Sequence, residues 1–215
     1  MIILHGFSSS NYYNVVKHVL LHKNCEFQEN KLFPKDPKLL EISATGKVPA
    51  ITSSIGTHIC ETSVILDYIE DVYPTPSLYP LSSDDRALTR QLVKIIELYL
   101  EIPSRMLLPT LLQGREPVPE ISEISYSSCK RGCVIINNLC SMSPYLMGAE
   151  LTIADIFLRY ALTIPNAVKQ FWSGKDPLSL IEGLQNWKNM MRKSEISRKI
   201  DEERKKDRAE FLARF

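Results

Sequence analysis

The sequence predicts a mixed α/β first half followed by an all-helical second half. Three observations carry this. Up to about residue 77, short β-branched or apolar runs alternate with stretches of helical spacing, in the order βαβαββα. Pro74-Thr75-Pro76-Ser77-Leu78-Tyr79-Pro80 then places three prolines in seven residues, the composition of a connection. Beyond it, no segment carries a strand pattern. At 215 residues the chain accommodates one large domain or two modest ones.

In the first half, Ile2-Ile3-Leu4 reads as a buried strand, and Ser8-Ser9-Ser10-Asn11 as a loop rich in helix-capping residues. Val15, Val16, Val19, Leu20 and Lys23 fall at helical spacing. Glu26 to Leu32 alternates weakly, as an edge strand does. A short helix over Pro37 to Ile42 is ended by Ser43-Ala44-Thr45-Gly46. Val48 to Thr52 and Thr57 to Cys60 flank Ser53-Ser54-Ile55-Gly56, a four-residue hairpin connection. Thr62 to Tyr73 is helical, with Val64, Ile65, Tyr68, Ile69 and Val72 on one face.

In the second half, a long helix is expected from Asp84/Asp85 to Leu112, kinked or ended near 102 by Pro103 and Pro109. Glu120 to Cys140, Thr152 to about Phe171 and Leu178 to Arg192 are further helices. Arg198 to Arg208 is almost wholly charged with both signs interleaved, and reads as a solvated helix end. The expected organisation is therefore a domain over 1–77, a linker over 78–83 and a helical domain over 84–215.

Composition narrows the function. Hydrophobic residues at 44% and charged residues at 24% are ordinary globular values. A net charge of +1 provides no field to gather nucleic acid or an anionic membrane. No run approaches the roughly 20 apolar residues of a membrane span. The first residues carry no basic segment followed by an apolar stretch, so no signal peptide is read there. Five cysteines (25, 60, 129, 133, 140) are odd in number and irregularly spaced, which fits reduced thiols in the cytoplasm.

Chemistry concentrates in three places. Val48-Pro49 precedes a short apolar strand, where proline's missing N–H places it at a strand start or edge. A cis bond is inexpensive there. The preceding residue keeps its own N–H and C=O free for an extended, peptide-like ligand. Glu61-Thr62 follows at a strand-to-helix turn, whose free N–H groups attract a carboxylate. Thr152-Ile153-Ala154-Asp155 has capping-box spacing, with Asp in the place of Glu or Gln, and marks the start of a buried helix.

These elements, with the wording Tyr145-Leu146-Met147-Gly148-Ala149-Glu150-Leu151-Thr152-Ile153-Ala154-Asp155, resemble the glutathione S-transferase family across nearly the whole chain. The resemblance implies a thioredoxin-like N-terminal domain with a mixed four-stranded sheet, and an all-α C-terminal domain contributing the electrophile pocket. It implies that Val48 pairs its backbone with the cysteinyl part of glutathione beside a cis Pro49. Glu61 and Thr62 would hold the γ-glutamyl amine and carboxylate, and Lys47 and Lys35 the glycine carboxylate. The chain departs from the family in having Thr62 where Ser is usual, and Ser43-Ala44 where Asn-Pro is usual.

Family members differ in the residue that activates the thiol. Those using Tyr carry it at the first strand's end, where Gly6 stands; those using Cys carry it in the loop that is Phe7-Ser8-Ser9-Ser10-Asn11 here. Ser-type (theta-, zeta- or nu-like) members place Ser seven positions along, counting Leu4 as one, which lands on Ser10. Ser9 is the alternative, and either serine also reads as a plain N-cap. A hydroxyl at a helix N-terminus can donate to a thiolate in a field that favours the anion. The implied activity is conjugation of glutathione, as co-substrate, to hydrophobic electrophiles by a cytoplasmic homodimer serving detoxification, with no nucleic acid, membrane or metal partner. A glutathione-dependent isomerase or dehalogenase and a non-catalytic interaction module are the alternatives. His18 and His22 with nearby Cys25 lack an acidic partner and read as packing, not as a metal site. Cys129 and Cys133 read as small core hydrophobes. Tyr99, Met106, Tyr160, Phe171 and Trp172 fit either a pocket lining or helical core.

Overall fold

The computed structural model describes residues 1–214. They form two compact units, one of Met1–Leu78 with Lys193–Arg214, the other of Tyr79–Arg192.

The first unit is a thioredoxin-like α/β domain. Its strands are β1 (Ile2–Gly6), β2 (Phe27–Lys31), β3 (Ala50–Thr52) and β4 (His58–Cys60). The sheet order is β2-β1-β3-β4; β1 runs parallel to β2 and antiparallel to β3, and β3 pairs antiparallel with β4. This is the expected mixed four-stranded sheet. The weakly alternating β2 is an edge strand with mostly exposed side chains, as its pattern predicts. Helices α1 (Asn11–His22), α2 (Pro37–Ile42) and α3 (Thr62–Val72) complete the βαβαββα order. Val15, Val16, Val19 and Leu20 of α1 and Ile65, Leu66 and Ile69 of α3 are buried with Ile2, Leu4 and Ile51 of the sheet, forming one apolar core.

The proline-rich stretch is anchored where composition suggests a loose connection. The buried Lys23 ammonium meets Glu70 at 2.7 Å and donates to the carbonyls of Tyr73 and Pro76. Glu70 accepts in turn from the Ser77 hydroxyl and the Leu78 N–H. The supposed linker over 78–83 opens with two buried side chains, Leu78 and Tyr79.

The closing helix differs from its sequence expectation. Arg198 to Arg208 lies inside α11 (Glu195–Leu212), which packs on α1 in the first unit. Ser197, Ile200 and Asp207 are buried. Its acids meet cations of α1 and β2: Glu203 pairs with Lys17, and Asp207 with Lys31, the latter at 2.6 Å. Interleaved charge is therefore half solvent face and half ion-paired interface.

The second unit is helical. The long helix expected from Asp84 runs as α4 (Ser83–Ile95), a π-helical stretch Ile96–Glu101, α5 (Ile102–Arg105) and α6 (Leu108–Leu112). The expected end at 102 does not occur: the helix passes there from π-helical to α-helical geometry and is interrupted only at 106–107. Pro103 lacks the N–H that would continue an α-helical ladder, and the wider turn absorbs the mismatch. Helix α7 (Pro119–Leu139) matches its expectation within a residue. The stretch from Thr152 divides into α8 (Ile153–Ala161) and α9 (Thr163–Val168), with Pro165 in the first turn of the latter. The last, α10 (Leu184–Lys193), starts six residues later than its periodicity suggests, after Gly183 takes a left-handed conformation (φ 76°). Tyr160 and Trp172 are core residues, the Trp172 indole donating to Ser125, whereas Met106 is exposed. Cys129 and Cys133 are buried free thiols, as expected of small hydrophobes. Among the described residues no helix is long and apolar enough to cross a membrane.

Candidate functional site

Strand register brings the candidate residues to one end of the sheet. His5 lies opposite both Asn30 and Ala50, and Ala50 lies opposite Cys60. The loop after β1, the turn before β3 and the turn after β4 therefore emerge together. Those are the segments of Ser8–Ser10, Val48-Pro49 and Glu61-Thr62. None is near another in sequence, so the sheet is what assembles them.

At the first of these, the chain leaves β1 at Gly6 (φ 147°), where a Cβ would sit 2.5 Å from the Tyr13 ring and 3.3 Å from the Val48 Cβ. That contact places Val48 against the start of the serine loop. It also explains why no tyrosine stands at the end of β1: the Tyr13 ring already fills the space. The Tyr13 hydroxyl donates to Glu29, and burial together with that carboxylate raises its pKa well above the usual phenol range. Tyr13 is thus engaged away from the serine loop.

Ser10 is the N-cap of α1. Its N–H donates to the Phe7 carbonyl at 3.0 Å, and its hydroxyl oxygen accepts from the Tyr13 N–H at 3.4 Å. The plain capping reading of this residue is thereby realised. It leaves the O–H proton uncommitted to that contact, because a hydroxyl can accept and donate at once. Ser10 is half-buried, and no acidic residue lies in the first turn of α1 to oppose an anion. Ser9 is held differently, its backbone N–H donating to the Asp207 carboxylate at 2.9 Å.

At the second segment, the Val48–Pro49 bond is cis, Pro49 is buried and Val48 half-buried. Sheet pairing starts at Ala50, so the Val48 backbone lies outside the ladder. The buried Ser43 hydroxyl donates to the Lys47 carbonyl at 2.8 Å, fixing the turn from the side where the family's usual Asn-Pro is replaced. The Lys47 side chain is exposed beside Val48.

At the third, Glu61 is the N-cap of α3 with φ 70°, a conformation that costs a non-glycine residue roughly 1–3 kcal/mol and that clusters at ligand sites. Its exposed carboxylate makes no capping bond, so the N–H groups opening α3 are not consumed by it. Thr62 is buried at the first helical position. Lys35 also has positive φ (75°) and is exposed, and its loop follows β2, which runs parallel to β1 and so leaves the sheet at the same end, on the edge away from β4. The strand directions thus bring the segments of Ser10, Lys35, Lys47, Val48, Pro49, Glu61 and Thr62 to one end of the sheet.

Sequence reading missed Asp207 and Phe211. Phe211 stacks on Phe7 at 5.5 Å between ring centroids, and Phe7 stacks on Phe33 at 4.7 Å. An apolar residue four positions after an aspartate was the available signal, obscured by the surrounding charge. Among the described residues no group of three or more His, Cys, Asp and Glu side chains is placed to hold a metal ion. His18 is buried in α1.

Comparison with known proteins agrees with this geometry. Residues 4–77 match the family described as glutathione S-transferase, N-terminal domain. A glutathione S-transferase of Pseudomonas putida is 38% identical over 181 residues, covering 84% of this chain and 80% of that protein. Among solved structures, the glutathione transferase URE2P8 of Phanerochaete chrysosporium, crystallised with oxidized glutathione, superposes with a TM-score of 0.81 at 18% identity. The match covers 97% of this chain and 96% of that one. A glutathione transferase of Populus trichocarpa gives 0.78 at 22% identity, covering 96% and 100%. The fold, the site at one end of its sheet and a relative this similar over most of both chains lead to one conclusion: this enzyme belongs to the glutathione S-transferase family.

Proposed function

We propose that the protein is a Ser-type transferase that joins the glutathione thiolate to small apolar electrophiles, with Ser10 as the hydroxyl that stabilises the thiolate. The observation that carries this reading is the convergence of a peptide-pairing backbone, a carboxylate, a helix N-terminus and a lysine beside Ser10. Glutathione is an extended tripeptide with one ammonium, two carboxylates and a thiol. Val48 offers backbone pairing to its centre. Glu61 suits the ammonium; Thr62 and the α3 N-terminus suit the adjacent carboxylate, and Lys47 and Lys35 the other. Ser10 can donate to the sulfur while its lone pair still caps α1. Free glutathione has a thiol pKa near 8.5, so stabilising the anion raises the nucleophile's concentration at neutral pH.

The test is Ser10→Ala. Retention on immobilised glutathione should persist, while turnover of a chlorodinitrobenzene-type electrophile falls by the equivalent of about 2–4 kcal/mol. The pKa of the bound thiol, followed by thiolate absorbance in the ultraviolet, should rise towards the free value. If Ser9→Ala abolishes turnover and Ser10→Ala does not, the hydroxyl is misassigned. Bound glutathione without transfer to any electrophile would favour the isomerase or dehalogenase reading.

We also infer that the enzyme works in the cytoplasm as a homodimer. Five free thiols suit a reducing compartment. Val64 and Val72 form an exposed apolar edge on α3 for a two-fold partner. Light scattering should give twice the 24.6 kDa chain mass, and a monomer at micromolar concentration refutes the dimer.

A further inference from the structure

We propose that Asp207 is a positioning residue for thiolate stabilisation: with Phe211, it clamps the Phe7–Ser10 loop and so fixes the Ser10 hydroxyl at the start of α1. The proposal rests on the reading of Ser10 given above. Asp207 and Phe211 lie one helical turn apart on α11, near the end of the chain, and both face the loop after β1. One carboxylate oxygen of Asp207 accepts the Ser9 N–H at 2.9 Å; the other meets the Lys31 ammonium at 2.6 Å. The side chain is only 7% exposed. Lys31 is further held by Glu210 at 2.7 Å.

Together these contacts grip the loop residue by residue. Phe7 stacks with both Phe33 and Phe211. The Ser8 carbonyl accepts from the Asn14 amide at 2.9 Å. The Ser9 N–H is taken by Asp207. Ser10, the next residue, is left with its own capping contact and its hydroxyl proton. Lys31 offsets the charge of Asp207, so the Ser9 N–H is held firmly without a bare anion beside a site meant for a thiolate. This is an arrangement for fixing a donor, because a misplaced hydroxyl loses much of its worth to a developing or resident anion. It also makes the charged C-terminal helix a part of the active-site framework.

The experiment compares Asp207→Ala with Asp207→Asn/Lys31→Gln, which removes both charges but leaves an amide carbonyl to accept the Ser9 N–H. Ser10→Ala serves alongside as the reference for the hydroxyl's own contribution. In Asp207→Ala, amide hydrogen exchange from Ser8 to Tyr13 should accelerate about tenfold. The bound thiol's pKa should rise, and kcat should fall about tenfold with KM for glutathione changed less than twofold. The double variant should recover most of the loss. Unchanged exchange in Asp207→Ala overturns the clamp whatever Ser10 does. Faster exchange with normal thiol pKa and kcat, while Ser10→Ala is impaired, overturns the positioning role and leaves the Ser10 reading intact. If Ser10→Ala is itself unimpaired, the Ser10 reading fails and the positioning role falls with it. A double variant as impaired as Asp207→Ala would assign the effect to the ion pair and overturn the role of the Ser9 contact.

Discussion

Glu61 holds a backbone conformation that few side chains tolerate, and does so at the junction of β4 and α3. The strain is sustained because the sheet fixes Cys60 and the buried Thr62 fixes the helix start. What it achieves is a carboxylate presented to solvent while the α3 N–H groups stay available. Glu61→Ala should therefore raise the Michaelis constant for glutathione about tenfold to a hundredfold, matching the ~1.5–3 kcal/mol of a charge-assisted hydrogen bond. Turnover at saturation should change far less, because the role proposed for Glu61 is to hold the tripeptide's ammonium, away from its sulfur. An unchanged Michaelis constant in steady-state kinetics would place the glutathione site elsewhere. Glu61 was legible in the sequence as a carboxylate before a helix. Its positive φ was not, since nothing local demands it.

At the scale of the element, the start of α8 shows how a local motif gathers tertiary partners. Both halves of the Thr152–Asp155 capping box form, as the spacing predicts. Asp155 is also fully buried and accepts from the Leu146 N–H at 2.9 Å and the Trp187 indole at 2.9 Å. Thr152→Ala with Asp155→Ala should thus cost more than the ~0.5–2 kcal/mol of a cap alone, because two further buried donors lose their acceptor at about 1–3 kcal/mol each. Thermal melting measures this, and glutathione affinity of the folded fraction should be unaffected. A melting temperature equal to the parent's would contradict the buried network. The box could be read from four residues; the reach to Trp187, on α10, could not. Likewise a disturbance near 102 could be read from Pro103, but not that the helix would absorb it in a π-helical stretch and continue to Arg105.

For the whole molecule, two histidines couple folding to pH. His5 is buried on the sheet between Asn30 and Thr52, and Thr52 is in turn bonded to His58; burial, and then the nearby His58, lower its pKa below 6.5. His22 is half-buried, and burial followed by Lys23 lowers its pKa too. Groups with lowered pKa take up protons on unfolding, so stability is fully present above pH 6.5 and is lost as pH falls from there through the folded values. Urea midpoints should be flat from pH 7 to 8 and decline between about 6.5 and 5. His5→Asn should flatten part of that decline. A midpoint independent of pH across this window would mean that neither imidazole is held neutral by the fold.

Determined by the sequence alone were the βαβαββα order, the helical second half, the proline turn before β3 and the capped α8. Each is encoded locally, by side-chain period, by proline's missing N–H or by a capping pair, so a short window suffices to read it. Only the tertiary structure decided where the charged final helix goes, that Asp207 holds the Ser9 N–H, that the proline-rich stretch is pinned by Lys23 and Glu70, and that Tyr13 fills the space beside Gly6. Those contacts join residues from 7 to 198 positions apart. Most of these partners lie far beyond any sequence window, and even across seven residues an ion pair or a filled space has no periodicity to announce it.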